Sequence, residues 1–165
     1  PLPRLMALAG QCRARGGALV VDEAFCDFAP EASLIPALPQ GAIVLRSFGK
    51  SYGMAGLRVG FAIGAPETVA ALRAGLGPWA VAGPALAVAA TALADQGWLA
   101  AATLSTQAAA KRLDGLIGQL GAVVGGTSLF RLLETPNAAA LFAHLGRHGV
   151  YVRRFRYDPC WLRFG

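Results

Sequence analysis

Two short runs without a polar residue, Ala18-Leu-Val-Val21 and Ala42-Ile-Val-Leu45, constrain the fold of this chain more than any other feature. They are too short to read as helices. They also lack the alternation of apolar and polar residues that a strand with one wet face would show. Such runs are expected of strands buried on both faces of a parallel sheet, and Val59-Gly-Phe-Ala-Ile63 reads as a third short strand. The first run stops at Asp22-Glu23 and the second at Arg46-Ser47, with Lys50 in the loop just beyond. Open α/β sheets bind ligands outside the carboxyl ends of their strands. The two runs therefore deliver Asp22 and Lys50 to one edge of one sheet.

The rest of the chain builds around those strands. Leu5 to Arg15 has helical spacing, with Leu5, Leu8 and Ala9 apolar, and Gly16-Gly17 ends it. Asp27 to Gly41 reads as a loop broken by Pro30, Pro36 and Pro39. Helices are expected from Pro66 to about Leu76, with Pro66 in the first turn and Glu67 at the positive end of the dipole, and from Pro84 to Asp95. A long amphipathic helix runs from Trp98 to Leu120 with Lys111, Arg112 and Asp114 on its wet side. Ala122 to Val124 and Leu129 to Leu133 read as strands joined through Gly125-Gly126. Asn137 to His148 reads as a helix capped from Thr135, with Pro136 at its first position. Val150 to Val152 and Trp161 to Phe164 are the last strands. The pattern changes near Gln96. The expected fold class is α/β: a mostly parallel sheet with helices over residues 1–95, then a smaller α+β unit over residues 96–165.

Composition narrows the function classes. The chain is 55% hydrophobic and 15% charged, which is globular, with a net charge of +6. Its basic residues are spread out except for Arg153, Arg154, Arg156 and Arg163, and a phosphate or carboxylate explains that cluster at least as well as nucleic acid does. Three cysteines without a CxxC pair point to a reducing cytoplasm and no zinc site. His144 and His148 lie one helical turn apart with no third ligand near, so a solvated helix face is expected rather than a metal site. The uncharged stretch Ala74 to Ala94 is interrupted by Gly75, Gly77, Pro78, Gly83 and Pro84. It reads as a buried bend between two helices and not as a membrane span. Trp79 and Trp98 are expected to pack, Cys160 to be a small core residue, and Glu23 to be structural or solvent-facing. Tyr52 either lines a pocket or packs.

Lys50 is one of two lysines in a chain that otherwise uses thirteen arginines. An amine that must bond to carbon cannot be replaced by a guanidinium. Framed by Gly49, Gly53, Gly56 and Gly60, Lys50 alone fits either chemistry or a solvated turn, and the strand-end Asp22 decides for chemistry. Asp22, Lys50 and Arg58 together meet the needs of a pyridoxal phosphate site. The amine forms an imine with the cofactor aldehyde, and a buried carboxylate keeps the pyridine nitrogen protonated so that the ring is an electron sink. Ser47 and Arg58 neutralise the phosphate, and Arg163 holds a substrate carboxylate or phosphate.

Val21-Asp-Glu-Ala-Phe25, Ser47-Phe-Gly-Lys50 and Gly56-Leu-Arg58-Val-Gly60 resemble, in order and spacing, the signature of the aminotransferase class I/II superfamily. The resemblance runs from about Ala18 to the last residue. It implies that Lys50 is the Schiff-base lysine, Asp22 the pyridinium partner, and Ser47 and Arg58 phosphate ligands. Arg163 in Trp161-Leu-Arg-Phe-Gly165 would grip the substrate carboxylate, and Arg153 in Gly149-Val-Tyr-Val-Arg153 would meet a substrate phosphate. It further implies a homodimer whose small substrate is a phosphorylated amino acid; the spread of basic residues and the broken uncharged run argue for no nucleic acid or membrane partner. Residues 1–95 would be part of the cofactor-binding large domain. The sequence is similar to the histidinol-phosphate aminotransferase branch. Leu76-Gly-Pro-Trp-Ala-Val81 and Trp161-Leu-Arg-Phe-Gly165 resemble, within it, the threonine-phosphate decarboxylase family of cobalamin biosynthesis. In that family the bond held perpendicular to the ring is the one to the carboxylate. Phe25 departs from the tyrosine many aminotransferases carry and cannot donate a hydrogen bond to the cofactor's phenolic oxygen. The superfamily's N-terminal half is absent from these residues, so the chain alone is expected to bind cofactor poorly and to lack activity. A non-catalytic remnant of the fold is the other reading.

Overall fold

The two wholly apolar runs lie side by side as parallel strands. In the computed structural model, which describes residues 2–165, β1 (Leu19–Asp22) pairs with β2 (Ala42–Ser47), Leu19 opposite Ala42 and Asp22 opposite Leu45. The Lys50 segment doubles straight back instead of crossing the sheet. β3 (Gly60–Ile63) therefore adds antiparallel to β2, with Ser47 opposite Gly60. The sheet order is β1-β2-β3. Side chains alternate across a sheet, so one face carries Val21 and Val44 and the other Val20, Asp22, Leu45 and Ser47.

The first face is covered. The helix α1 (Leu2–Ala14) presses Ala9 onto Ala42 and Val44, with Leu34 from the following loop and with Leu5, Leu19 and Ile63 at the margin. Leu34 and Val44 are fully buried. The other face is open: Val20 is 56% and Leu45 38% exposed, so these strands are not buried on both faces. The stretch from Asp27 to Gly41 is more ordered than a plain loop. It winds through the 3-10 turns Cys26–Phe28, Pro30–Ala32 and Ile35–Ala37, with prolines starting or stiffening two of them.

Helices α2 (Pro66–Leu76) and α3 (Gly83–Ala94) follow. The bend between them is exposed, contrary to the buried bend the sequence suggested. Trp79 sits there with φ of 59° and is 93% exposed, so it is not the packing residue expected, while Trp98 is 42% exposed. The left-handed backbone after Pro78 turns the indole outward, and α2 has no buried residue to receive it. Among the described residues no single helix is long and apolar enough to cross a membrane.

The chain divides into two compact units, one ending at Gln96 and the other Gly97–Gly165. Helix α4 (Gln96–Ile117) leads into the second, which holds the sheet β4-β5-β7-β6. β4 (Ala122–Thr127) continues through Gly125-Gly126, with a register shift between Val123 and Gly125, and the turn to β5 (Phe130–Glu134) is Ser128-Leu129. The glycines are therefore inside the strand and not at its end. A Cβ on Gly126, at φ of 140°, would press on the Phe130 carbonyl and Arg131 Cα. Helix α5 spans Ala138–Arg147 and leaves Pro136 outside it. Thr135 is buried and its hydroxyl accepts from the Asn137 amide at 3.4 Å, a turn before the helix and not its cap. Val150 to Val152 is not a strand. Gly149 turns at φ of 75° and the Val150 amide still donates to Leu145 O, so the chain joins the sheet only at β6 (Arg153–Arg154). Ile117, Leu133, Ala138, Val152, Leu162 and Phe164 form this unit's core, closed by β7 (Trp161–Phe164).

Candidate active site

The site grows from the ends of β1 and β2. Asp22 and Ser47 share the open face, and Asp22 lies exposed, so the buried carboxylate expected there is instead a solvent-accessible one. Its Oδ1 accepts from the Ala24 amide at 3.0 Å, which fixes the turn that brings Phe25 round. Phe25 then lies beneath the lysine, with Lys50 Nζ 5.7 Å from its ring centroid. That distance joins two segments the sequence separates by 24 intervening residues.

The Lys50 turn is held from both sides. Phe48, only 1% exposed, stacks on Tyr52 with ring centroids 4.4 Å apart and planes 9° apart. Tyr52 thus packs. The Phe48 amide donates to Val59 O, and the Gly53 amide closes the turn on Lys50 O. Gly49 is needed for a close approach, since a Cβ there would stand 2.8 Å from Ala55 Cα. Ser51 is buried, and its hydroxyl has no hydrogen-bond partner. Arg58 adopts φ 54°, ψ 41°, a left-handed conformation that costs a non-glycine residue about 1–2 kcal/mol. Its Nη1 donates to Ala55 O at 3.1 Å. Two residues later Gly60 pairs with Ser47, so Arg58 lies just before the strand that flanks Ser47.

On the covered face lies a polar cluster that sequence reasoning left undescribed. Glu23 is buried. Its Oε1 accepts from the Leu34 amide at 2.6 Å and its Oε2 from Ser33 Oγ at 2.8 Å, while Arg46 Nε stands 3.1 Å from Oε2. Arg46 also donates to Asp27 Oδ1 at 2.7 Å and to Ser33 Oγ at 3.2 Å. The sequence signal was available in the parallel pairing, which sets Glu23 and Arg46 one step past Asp22 and Leu45. Burial pushes the Cys26 thiol and the Tyr52 phenol above their ordinary ranges, the first reinforced by Glu23 and the second by Asp27. A cavity of about 250 Å³ adjoins this cluster, lined by residues including Arg46, Ser47, Phe48, Tyr52 and Phe61; of the candidate site residues it takes in Ser47 but none of Asp22, Phe25, Lys50 or Arg58.

In the second unit Arg153 and Arg163 are cross-strand partners. Like charges directly opposite one another destabilise a sheet, and each guanidinium rests on a ring: Arg163 5.1 Å from the Phe130 centroid and Arg153 5.7 Å from that of Phe155. Arg154, beside them in sequence, lies instead 5.2 Å from the Phe142 ring. His144, on α5, and His148, just past its end, are exposed, with ring centroids 4.4 Å apart and planes tilted by 37°.

The donor set at Lys50 suits pyridoxal 5'-phosphate. It offers an amine for an aldehyde, a carboxylate for a ring N–H, and a hydroxyl and guanidinium for a phosphate, all at adjacent strand ends. The polar atom of Ser51, buried without a partner one residue from Lys50, adds a further donor.

Known proteins bear on the same residues. Threonine-phosphate decarboxylase of Sinorhizobium sp is 43% identical over 165 residues, 98% of this chain and 49% of that protein. Histidinol-phosphate aminotransferase 1 of Nostoc sp. is 33% identical over 144 residues, 85% of this chain and 41% of that protein. The crystal structure of histidinol-phosphate aminotransferase from Sinorhizobium meliloti, in complex with pyridoxal-5'-phosphate, superposes with a TM-score of 0.84 at 28% identity, over 99% of this chain and 47% of that one. The chain thus spans about half the length of the curated relatives it matches. The family model for aminotransferase class I and II matches residues 1–165. Because that match takes in both units and not one of them, the chain belongs to the aminotransferase class I and II family.

Proposed function

We propose that this chain carries the lysine-bearing part of a pyridoxal-phosphate-dependent carboxy-lyase. Its reaction is the decarboxylation of L-threonine O-3-phosphate to (R)-1-aminopropan-2-yl phosphate, a step of cobalamin biosynthesis. The observation that carries this reading is the 43% identity to threonine-phosphate decarboxylase across 98% of the chain, against 33% to a histidinol-phosphate aminotransferase. In this reading the first unit is part of the large domain and the second is the small domain. The protein is cytoplasmic and works as a homodimer.

Pyridoxal phosphate, when bound, supplies an electron sink for the carbanion left by bond cleavage. Lys50 provides the amine that bonds to its aldehyde, and afterwards holds or returns a proton at Nζ. Asp22 keeps a proton on the ring nitrogen, and Ser47 and Arg58 take the phosphate. Phe25 offers no donor beside Lys50, so the phenolic oxygen loses a hydrogen bond that a tyrosine would give. Arg163 grips the substrate carboxylate and Arg153 meets its phosphate. A pair of fixed cations matches a substrate with two anionic groups.

The test uses the protein as its gene encodes it, supplied with threonine phosphate. Release of carbon dioxide is expected. Keto-acid formation coupled to 2-oxoglutarate, without carbon dioxide, would replace this reading by an aminotransferase. Absence of a borohydride-sensitive visible band would replace it by a non-catalytic remnant.

A further inference from the structure

We propose that the Glu23–Arg46 pair is a positioning device for the candidate site: from the covered face of the sheet it fixes where Asp22 and Ser47 are presented on the open face. The inference rests on the reading that Asp22 and Ser47 hold the cofactor. Each member of the pair is covalently next to one of those two residues, Glu23 after Asp22 and Arg46 before Ser47. Strand alternation turns the pair one way and the site residues the other.

The last ladder bond between the strands runs from the Glu23 amide to Leu45 O at 2.8 Å. Past it β1 turns away towards Cys26 and β2 towards Lys50. The side-chain bridge takes over there. Both Glu23 oxygens accept hydrogen bonds, from the Leu34 amide and Ser33 Oγ, and Arg46 Nε adds an ion-pair contact at 3.1 Å that lacks hydrogen-bond geometry. The guanidinium then reaches Asp27 Oδ1 and Ser33 Oγ, so one planar group ties the end of β2 to two points of the 23–33 segment. Stability alone does not account for a charged pair in this place, because apolar residues of similar volume usually serve as well or better. The charged network does what an apolar pair cannot: it sets direction. Two strand ends are pinned in register at the residue adjoining each site residue, Glu23 just after Asp22 and Arg46 just before Ser47.

The experiment uses the protein as its gene encodes it, with Arg46→Met, Arg46→Lys and Glu23→Gln. Backbone hydrogen exchange is read first without cofactor, over residues 22–26 and 46–50 and, as control, over β5. Pyridoxal phosphate affinity is then read from visible absorbance at a temperature where each variant is folded. Arg46→Met is expected to speed exchange at both strand ends by about ten-fold while leaving β5 unchanged, and to weaken cofactor binding by about ten-fold. Arg46→Lys keeps the charge but not the planar fork, and is expected to recover folding stability more fully than affinity. Glu23→Gln keeps an acceptor for the Leu34 amide and is expected to fall between.

Unchanged exchange at the strand ends, or a folded variant with wild-type affinity, would overturn the proposal. If Arg46→Met does not fold, Ser33→Ala removes the hydroxyl that bridges the two charges and also accepts from the Ile35 amide at 3.1 Å. It should move both readouts in the same direction by about three-fold, and no movement sinks the idea. A wild-type protein that takes up no cofactor would refute the functional reading, while the exchange measurement would still judge the pair.

Discussion

Removing the Phe48 ring should loosen the first unit and the Lys50 turn together. Phe48 is 1% exposed, stacks on Tyr52 at 4.4 Å and meets Phe61 edge-on at 6.4 Å. Burial of a phenyl ring contributes about 2–3 kcal/mol by area, and the cavity left behind brings the usual loss for Phe→Ala to about 3–5 kcal/mol. Against a typical total of about 5–15 kcal/mol, this is a large fraction. Urea denaturation of Phe48→Ala should show it as a lower midpoint with little change in slope. The stack itself is isolated by a double-mutant cycle with Phe48→Leu and Tyr52→Leu, where a coupling of about 0.5–1.5 kcal/mol is expected. These rings sit two residues before and two after Lys50, so the double variant should also take up pyridoxal phosphate more weakly at a temperature where it is folded. A loss under about 1 kcal/mol for Phe48→Ala, far below the range for a sealed core ring, would refute the burial argument. A coupling within error of zero would refute the clamp.

Lys50→Ala should abolish the borohydride-sensitive visible absorbance of the loaded protein, and Lys50→Arg should not restore it; a persisting band would remove Lys50 from its role. In the second unit Arg131 meets Asp114 through Nε at 2.6 Å and Nη2 at 2.7 Å. The pair is partly exposed, so a double-mutant cycle should give about 1 kcal/mol at low salt and less at high salt, and a salt-independent coupling would contradict that geometry. The raised thiol of Cys26 and phenol of Tyr52 hold their protons more tightly folded than unfolded. The stability this contributes is full below the unfolded values near 9.0 and 10.0 and is lost as pH rises through the folded ones. Thermal melts of Cys26→Ala and Tyr52→Phe should therefore show a shallower alkaline decline than wild type. Arg163→Met should raise KM for threonine phosphate more than it lowers the amount of bound cofactor, and equal loss of both would place Arg163 outside the substrate site.

Strand ends and lysine were legible because their signal is local. A short apolar run between turn residues marks a strand, and the residue that ends it marks an edge. The burial of both faces read from it was wrong, since Val20 and Leu45 are exposed. Legibility failed where the deciding partner is remote. Gly125-Gly126 looks like punctuation until the Phe130 carbonyl shows that the second glycine is a place of close approach within β4. Thr135 has the composition of a cap, yet the helix begins three residues later. Trp79 was expected inside on hydrophobicity alone, but its left-handed turn points it to solvent. In the site, Asp22 and Lys50 were expected at one edge from strand order. That Phe25 lies under the amine, and that Glu23 is sealed on the other side of the sheet, depends on how two loops fold back over tens of residues.

The alternation that puts Asp22 and Ser47 on one face and Glu23 and Arg46 on the other makes the two strands unequal in what they tolerate. A substitution changes one side chain on one face. A single-residue insertion or deletion in β1 or β2 shifts the period-two pattern and exchanges the faces. The shifted strand would then turn its member of the ion pair to solvent and press its own site residue, Asp22 or Ser47, onto the covered face. Length variation in this unit should therefore collect in the Asp27–Gly41 turns and the exposed bend at residues 77–82, and the strands should diverge by replacement alone.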